Sequence, residues 1–246
     1  MDERKTDIFN PNPLIQTVAL ANGQCCFVID DVLAEPERWV KFADERQTDF
    51  RLPGGGGSAG YPGIQFALPQ AAIQQLTEFF LLHMRARLDA RRLVSAFWGM
   101  SMVTLQPASL QPSQCLCHTD FIPGQAQGNG MTASVLYLFK DGSIGGTSLY
   151  APRQSREETA VIVRDSLAMD SRAFEAKYGI APGYMNGPNA YFDLIGRIDA
   201  KWNRIVFYDG DIFHTGDIFA PEKLSADPRV GRLTMNGFIT CTRRAK

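Results

Sequence analysis

Apolar and polar positions alternate along much of this chain in short runs, the pattern of strands that bury one face. The first run is Cys26-Phe27-Val28-Ile29-Asp30. It leads into Asp31-Val32-Leu33-Ala34-Glu35-Pro36, where Pro36 suits the first turn of a helix and Trp39, Val40 and Ala43 would face inward. A second helix is predicted where Leu76, Phe79, Phe80, His83, Met84 and Leu88 recur at helical spacing, with Pro69 near the start. His83 falls on that apolar stripe and reads as a core histidine. From Leu93 the pattern becomes strand-like, over 93–104, 116–120, 132–139 and 147–150. Pro123-Gly124, Gly128-Asn129-Gly130, Asp141-Gly142 and Gly145-Gly146 separate these runs as turns.

A helical stretch interrupts the strands. Ser155 and Glu158 have the spacing of a capping box, and residues 171–178, stopped by Gly179, form a second helical piece. Strands resume over 189–194, 204–208, 212–214 and 232–240. Roughly eight short strands around one insert predict a mainly β, cupin-like jelly roll with helices packed outside. Residues 1–13, polar and carrying Pro11 and Pro13, read as an extended arm. Residues 14–246 read as a single domain with its insert near 152–189. The run 53–63 contains four successive glycines and cannot be a helix or a central strand. It is either a plain surface connection or a mobile loop on the substrate side of a site. Tyr61, after the glycine run, reads as a surface aromatic, with a place lining the substrate entrance as the alternative, and Trp202-Asn203 as core and turn.

Composition narrows the classes of function. The chain has 246 residues, 45% hydrophobic and 21% charged, enough to bury a core without disulfides. A formal net charge of −1 offers nothing that attracts nucleic acid or an anionic membrane in bulk. Arg243, Arg244 and Lys246 read as a solvated end. Five cysteines, an odd number, give no paired framework, and Cys25-Cys26 and Cys115-Leu116-Cys117 lack a zinc spacing. They read as reduced thiols in a cytoplasmic protein. The polar N-terminus does not resemble a signal peptide, and the longest apolar run, near 95–105, is too short to span a bilayer. The expected partner is a small-molecule or peptide substrate, and the oligomeric state stays open.

The chemistry lies in two distant segments, Cys117-His118-Thr119-Asp120-Phe121 and Phe213-His214-Thr215-Gly216. On a strand, His118 and Asp120 leave the same face. His214, arriving from elsewhere in the fold, would complete two imidazoles and one carboxylate. Such a facial triad holds one side of an octahedral Fe(II) and leaves the other side open, which points to an oxygenase.

Downstream of His-x-Asp, further motifs come in a fixed order. There is an apolar strand, Ser134-Val135-Leu136-Tyr137-Leu138-Phe139, then Gly145-Gly146-Thr147-Ser148-Leu149-Tyr150. After the insert come Trp202-Asn203-Arg204-Ile205-Val206-Phe207-Tyr208, His214, and Arg232-Leu233-Thr234. This ordered set, with Phe27-Val28-Ile29-Asp30-Asp31-Val32-Leu33 ahead of it, resembles the prolyl-hydroxylase-like branch of the Fe(II)/2-oxoglutarate-dependent oxygenases. The resemblance spans about residues 26 to 240. It implies a double-stranded β-helix with His118, Asp120 and His214 as iron ligands. It also implies Arg232 paired with the distal carboxylate of 2-oxoglutarate, helped by the hydroxyls of Thr234 and Tyr137. A guanidinium grips a carboxylate in a planar two-point fork.

Three features depart from the family pattern. Arg232 stands eighteen residues after His214, which makes Arg229 a second candidate anchor; Phe139 replaces a polar residue; and the insert is long. The activity implied is that of a dioxygenase using Fe(II), 2-oxoglutarate and O2, a hydroxylase of a small molecule or peptidyl substrate. The alternatives are a cupin-like isomerase or hydrolase using Zn, Mn or Ni, and a jelly-roll binding protein without turnover.

Overall fold

The computed structural model describes residues 8–53, 60–120, 126 and 128–243. Residues 54–59 of the glycine run, the Pro123-Gly124 turn, the first residues of the arm, and Arg244 and Lys246 lie outside the described residues. The chain forms β1 (Ile15–Ala19), β2 (Cys25–Ile29), α1 (Pro36–Asp44), β3 (Gly63–Ala67), α2 (Gln70–His83), β4 (Ala90–Val103) and β5 (Asn129–Tyr137). It continues with β6 (Thr147–Pro152), α3 (Arg156–Ala168), α4 (Ser171–Tyr178), β7 (Phe192–Ile198), β8 (Arg204–Asp209), β9 (Phe213–Gly216) and β10 (Leu233–Arg243).

A seven-stranded sheet has the order β1-β2-β8-β5-β10-β4-β3, and a three-stranded sheet the order β7-β6-β9. Neighbouring strands are antiparallel. From β4 onward the chain passes back and forth between the sheets. β4 is in the large sheet, the segment at His118 bridges β9 of the small one, and β5 returns to the large sheet. β6 and β7 are in the small sheet, β8 in the large, β9 in the small and β10 in the large. This alternation is a double-stranded β-helix, mainly β with flanking helices.

The central strands of the large sheet are buried on both faces, and their side chains sort by parity. Leu136, Trp98, Met100, Met102, Leu233, Met235 and Ile239 pack outward with Leu76, Phe79, Phe80 and Met84 of the α2 region. Ala133, Tyr137, Val206 and Tyr208 point between the sheets, where Leu149, Ile195 and Ile198 meet them. That double burial is why residues 132–139 read as an almost unbroken apolar run. A third cluster, Ile162, Phe174, Met185 and Phe192 with Tyr150 and Leu116, packs the insert helices against the small sheet. Helix α3 begins in a Ser155–Glu158 capping box, and α4 ends at Gly179, whose φ of 67° is left-handed. No helix among the described residues is long and apolar enough to cross a membrane.

The elements differ from the sequence expectation in four places. β1 escapes the alternation because it is a mostly exposed edge strand. β3 begins at Gly63, inside the glycine- and proline-rich run. A Cβ there would meet the Met102 carbonyl oxygen at 1.9 Å, so the close pairing with β4 needs glycine. β7 starts three residues late because Asn189 turns the chain, its Oδ1 accepting from the Tyr191 and Phe192 amides. Residues 116–120 make one bridge rather than a full strand.

The turn before β8 ties the two ends of the domain together. Asn203, buried and at φ 59°, donates to the Leu33 carbonyl and accepts from the Leu33 amide, both at 2.9 Å. Beside it, Asp30 receives Arg204 at 2.6 and 3.1 Å and Lys201 at 2.8 Å. The Arg204 hydrogen bond is the main reason the Asp30 carboxyl is held down to about 2. Asp30→Asn should therefore lower stability near neutral pH by about 1 kcal/mol, after allowance for solvent screening. Because the folded-state value is depressed, this contribution is complete above the ordinary carboxylate range and fades as the pH falls toward about 2. Denaturant titrations of the two proteins should differ at neutral pH, and the gap should narrow below about pH 4.

Candidate metal centre

Two backbone hydrogen bonds build the centre of the site. The His118 amide donates to the His214 carbonyl at 2.9 Å, and the His214 amide donates back at 2.8 Å. Such a pair sets side chains on one face, and the two imidazole centroids lie 4.5 Å apart. The Asp120 amide donates to the Gly210 carbonyl at 2.8 Å, and its carboxylate lies near the Nε2 atoms of both rings. One donor atom from each of His118, Asp120 and His214 lies within 4.8 Å of the others.

The hydrogen-bond pattern sets the protonation of the His214 ring. Its Nδ1 lies 2.9 Å from the Ile212 carbonyl, to which a protonated Nδ1 donates. This leaves the lone pair of Nε2 facing Asp120 Oδ2 at 3.3 Å. Asp120 Oδ2 is buried without a hydrogen-bond donor among the described residues, and Asp120 Oδ1 is 3.9 Å from His118 Nε2. Acceptors that converge with no proton between them repel. A cation shared by all three removes the repulsion, so the donor set fits a divalent metal.

Burial sets the charges. It pushes Asp120 up to about 6, against the pull of His118, and holds His214 down to about 4. His118 is also lowered to about 4, first by desolvation and then by the neighbouring His214. Its side chain is nevertheless 56% accessible, so solvent reaches the site on the His118 side. At neutral pH both rings are then neutral and the carboxylate is ionised, the forms that bind metal. Tyr208 closes the inner side, its ring centroid 4.7 Å from that of His214 in a T-shaped contact.

A second cluster surrounds Arg232, which is 3% exposed. Its Nε donates to the Gly145 carbonyl at 3.2 Å and its Nη2 to the Gly146 carbonyl at 2.6 Å, while Phe139 lies under the guanidinium at 5.5 Å. Gly145 has φ 121°, and a Cβ on Gly146 would meet the Ile198 carbonyl oxygen at 1.9 Å. Only glycine lets the chain make this close turn. No carboxylate among the described residues pairs with Arg232. The nearby buried Asp217 is taken by Arg197 at 3.2 Å. Thr234, also buried, stands opposite Ser101 on β4 and Tyr137 on β5. The Tyr137 hydroxyl donates to Thr147 Oγ1 at 2.8 Å, and burial raises it to about 12. Arg229 is different: exposed, it forks onto Asp227 at 2.9 and 2.8 Å and lies 3.5 Å from Asp44.

Tyr61 departs from its reading as a surface aromatic. Its hydroxyl is buried beside Thr234, Ser101 and Arg232, and burial raises it to about 12. Residues 61–63 lead into a strand that alternation could not detect, so the only sequence signal was the neighbouring glycine run, which suggested the substrate entrance and not a place beside Arg232. His83 stays on α2, its ring 4.7 Å from that of Phe79.

A family model described as a family of unknown function (DUF6445) matches residues 11–239. No curated protein matches the sequence. Among solved structures, the chain is similar to HygX from Streptomyces hygroscopicus with nickel and 2-oxoglutarate bound. That match has 11% identity and a TM-score of 0.47, and covers 88% of this chain and 82% of the other. It is also similar to the epimerase SnoN in complex with Fe3+, alpha ketoglutarate and nogalamycin RO, at 12% identity and TM-score 0.44, covering 89% and 81%. A third is an N-substituted L-amino acid dioxygenase from Burkholderia ambifaria AMMD, at 12% identity and TM-score 0.37, covering 87% and 81%.

His118→Ala and His214→Ala should each abolish stoichiometric binding of a divalent metal ion, and His83→Ala should leave it unchanged. Anaerobic calorimetric titration with Fe(II), or with Mn(II) as a stable substitute, measures this directly.

Proposed function

For this chain, which belongs to the DUF6445 family of unknown function, we propose an Fe(II)- and 2-oxoglutarate-dependent dioxygenase that hydroxylates a small-molecule or peptidyl substrate. One observation carries the reading. The metal-binding donors and the unpaired buried guanidinium are joined by a single short strand. His214 and Gly216 are two residues apart on β9, and a Cβ at Gly216 would lie 3.3 Å from Arg232 Nη2. Two strand residues span roughly 7 Å. A five-carbon 2-oxo dicarboxylate suits that span, with its 2-oxo acid end at the metal and its far carboxylate at Arg232.

His118, Asp120 and His214 hold one side of the metal, and the accessible face of His118 marks the side left open to substrate. Arg232 takes the distal carboxylate in a charge-assisted pair, with Thr234 and Tyr137 lining the same pocket. When bound, Fe(II) supplies oxygen activation, coupling oxidative decarboxylation of 2-oxoglutarate to oxidation of the substrate. Tyr208, Phe139 and the packed β5–β8 face exclude water from the inner side of the site. The five cysteines are unpaired, which suits a reducing compartment and the cytoplasm.

A cupin-like isomerase or hydrolase would have no use for a buried arginine without a carboxylate, and a binding protein would need no convergent metal donors. Succinate release in the presence of iron, ascorbate and 2-oxoglutarate separates the three readings, and its absence would sink the one proposed. At a 2-oxoglutarate concentration 100 times its Kd, the metal-loaded protein should gain about 2.7 kcal/mol of stability. Arg232→Leu should remove most of the accompanying rise in melting temperature, and Arg229→Leu should not. The reverse result would move the anchor to Arg229.

A further inference from the structure

Around Arg232 most polar groups are already committed. Tyr137 bonds Thr147 at 2.8 Å, and Tyr184 donates to the Leu105 carbonyl at 2.6 Å. Ser101 Oγ accepts the side-chain amides of Gln65 at 3.0 Å and Asn236 at 3.1 Å. The Tyr61 hydroxyl is left over: it is buried beside the Thr234 and Ser101 hydroxyls, but makes no hydrogen bond of ordinary distance and angle among the described residues. Its backbone is well held, the carbonyl accepting from the Gly63 amide at 3.0 Å and from Gln114 Nε2 at 3.2 Å. Gln114 belongs to the capped turn Pro112–Cys115 that runs into His118 and Asp120. The segment carrying two of the metal donors therefore also fixes the position of this phenol.

An unpaired buried donor is costly, and one placed beside a guanidinium and a threonine hydroxyl is well suited to an anion. Burial keeps the phenol protonated through the physiological range, so it can only gain by donating. We propose that Tyr61 donates a hydrogen bond to the co-substrate carboxylate that faces Arg232, taking the role the family pattern gives to Tyr137. It thereby sets a preference for 2-oxo acids that carry a second carboxylate. The proposal rests on the 2-oxoglutarate reading above.

The test compares wild type with Tyr61→Phe, both metal-loaded, using 2-oxoglutarate and pyruvate as probes. Pyruvate shares the 2-oxo acid end and lacks the second carboxylate. Loss of a hydrogen bond to a charged group should weaken 2-oxoglutarate binding about tenfold or more and leave metal and pyruvate affinities unchanged. The ligand-free variant should melt no lower than wild type, since the substitution removes an unsatisfied buried hydroxyl. Tyr61→Leu should lose at least as much 2-oxoglutarate affinity. Wild-type affinity for 2-oxoglutarate in Tyr61→Phe would overturn the proposal while leaving the enzyme reading intact. So would a joint fall in 2-oxoglutarate and pyruvate binding with a lower melting temperature, which marks a structural role. A wild-type protein that does not respond to 2-oxoglutarate would remove both.

Discussion

The site depends on the reciprocal backbone pairing of His118 with His214. Those two hydrogen bonds fix which residues of two distant segments share a face. A slip of one position would turn either imidazole away from the other. The pairing does not continue in register: the Asp120 amide bonds Gly210 instead of Ile212. The Ile212 carbonyl is thereby free to accept the His214 ring N–H. One local irregularity thus positions the carboxylate and selects the tautomer that faces it.

Around this pairing the fold acts as a rigid frame. The central strands of the large sheet are packed on both faces, so neither β5 nor β10 can shift without disturbing the outer helices and the space between the sheets. Glycines allow the approaches that side chains would block. Gly145 and Gly146 present their carbonyls to Arg232, and Gly216 lets the guanidinium lie against β9. The arginine is thus held by the backbone while no carboxylate of the described chain forms an ion pair with it.

Two patterns made the fold readable in the sequence: alternation in strands that bury one face, and near-continuous apolar runs in strands such as β5 and β8 that are buried on both. The i, i+2 spacing of His118 and Asp120 survives even though their segment makes only a bridge. β1, β3 and Tyr61 were hidden. β1 is an exposed edge, and β3 and Tyr61 are set by contacts to β4 and Gln114 far away in the chain. The choice between Arg232 and Arg229 could not be made from spacing either, since only burial separates them. One is enclosed by glycine carbonyls and the other is paired with Asp227 at the surface.

The strand order has a consequence for how the chain can assemble during synthesis. β2 lies between β1 and β8, and β4 lies between β3 and β10. β2 and β4 therefore wait for their second partners, made more than a hundred residues later, as the contacts of Asp30 and Leu33 with Arg204 and Asn203 show for β2. Until β8 and β10 emerge, β2 and β4 each present an unpaired edge, open to pairing with other chains. Closure by late, long-range contacts predicts slow folding, with the large sheet completed only when β8 and β10 dock.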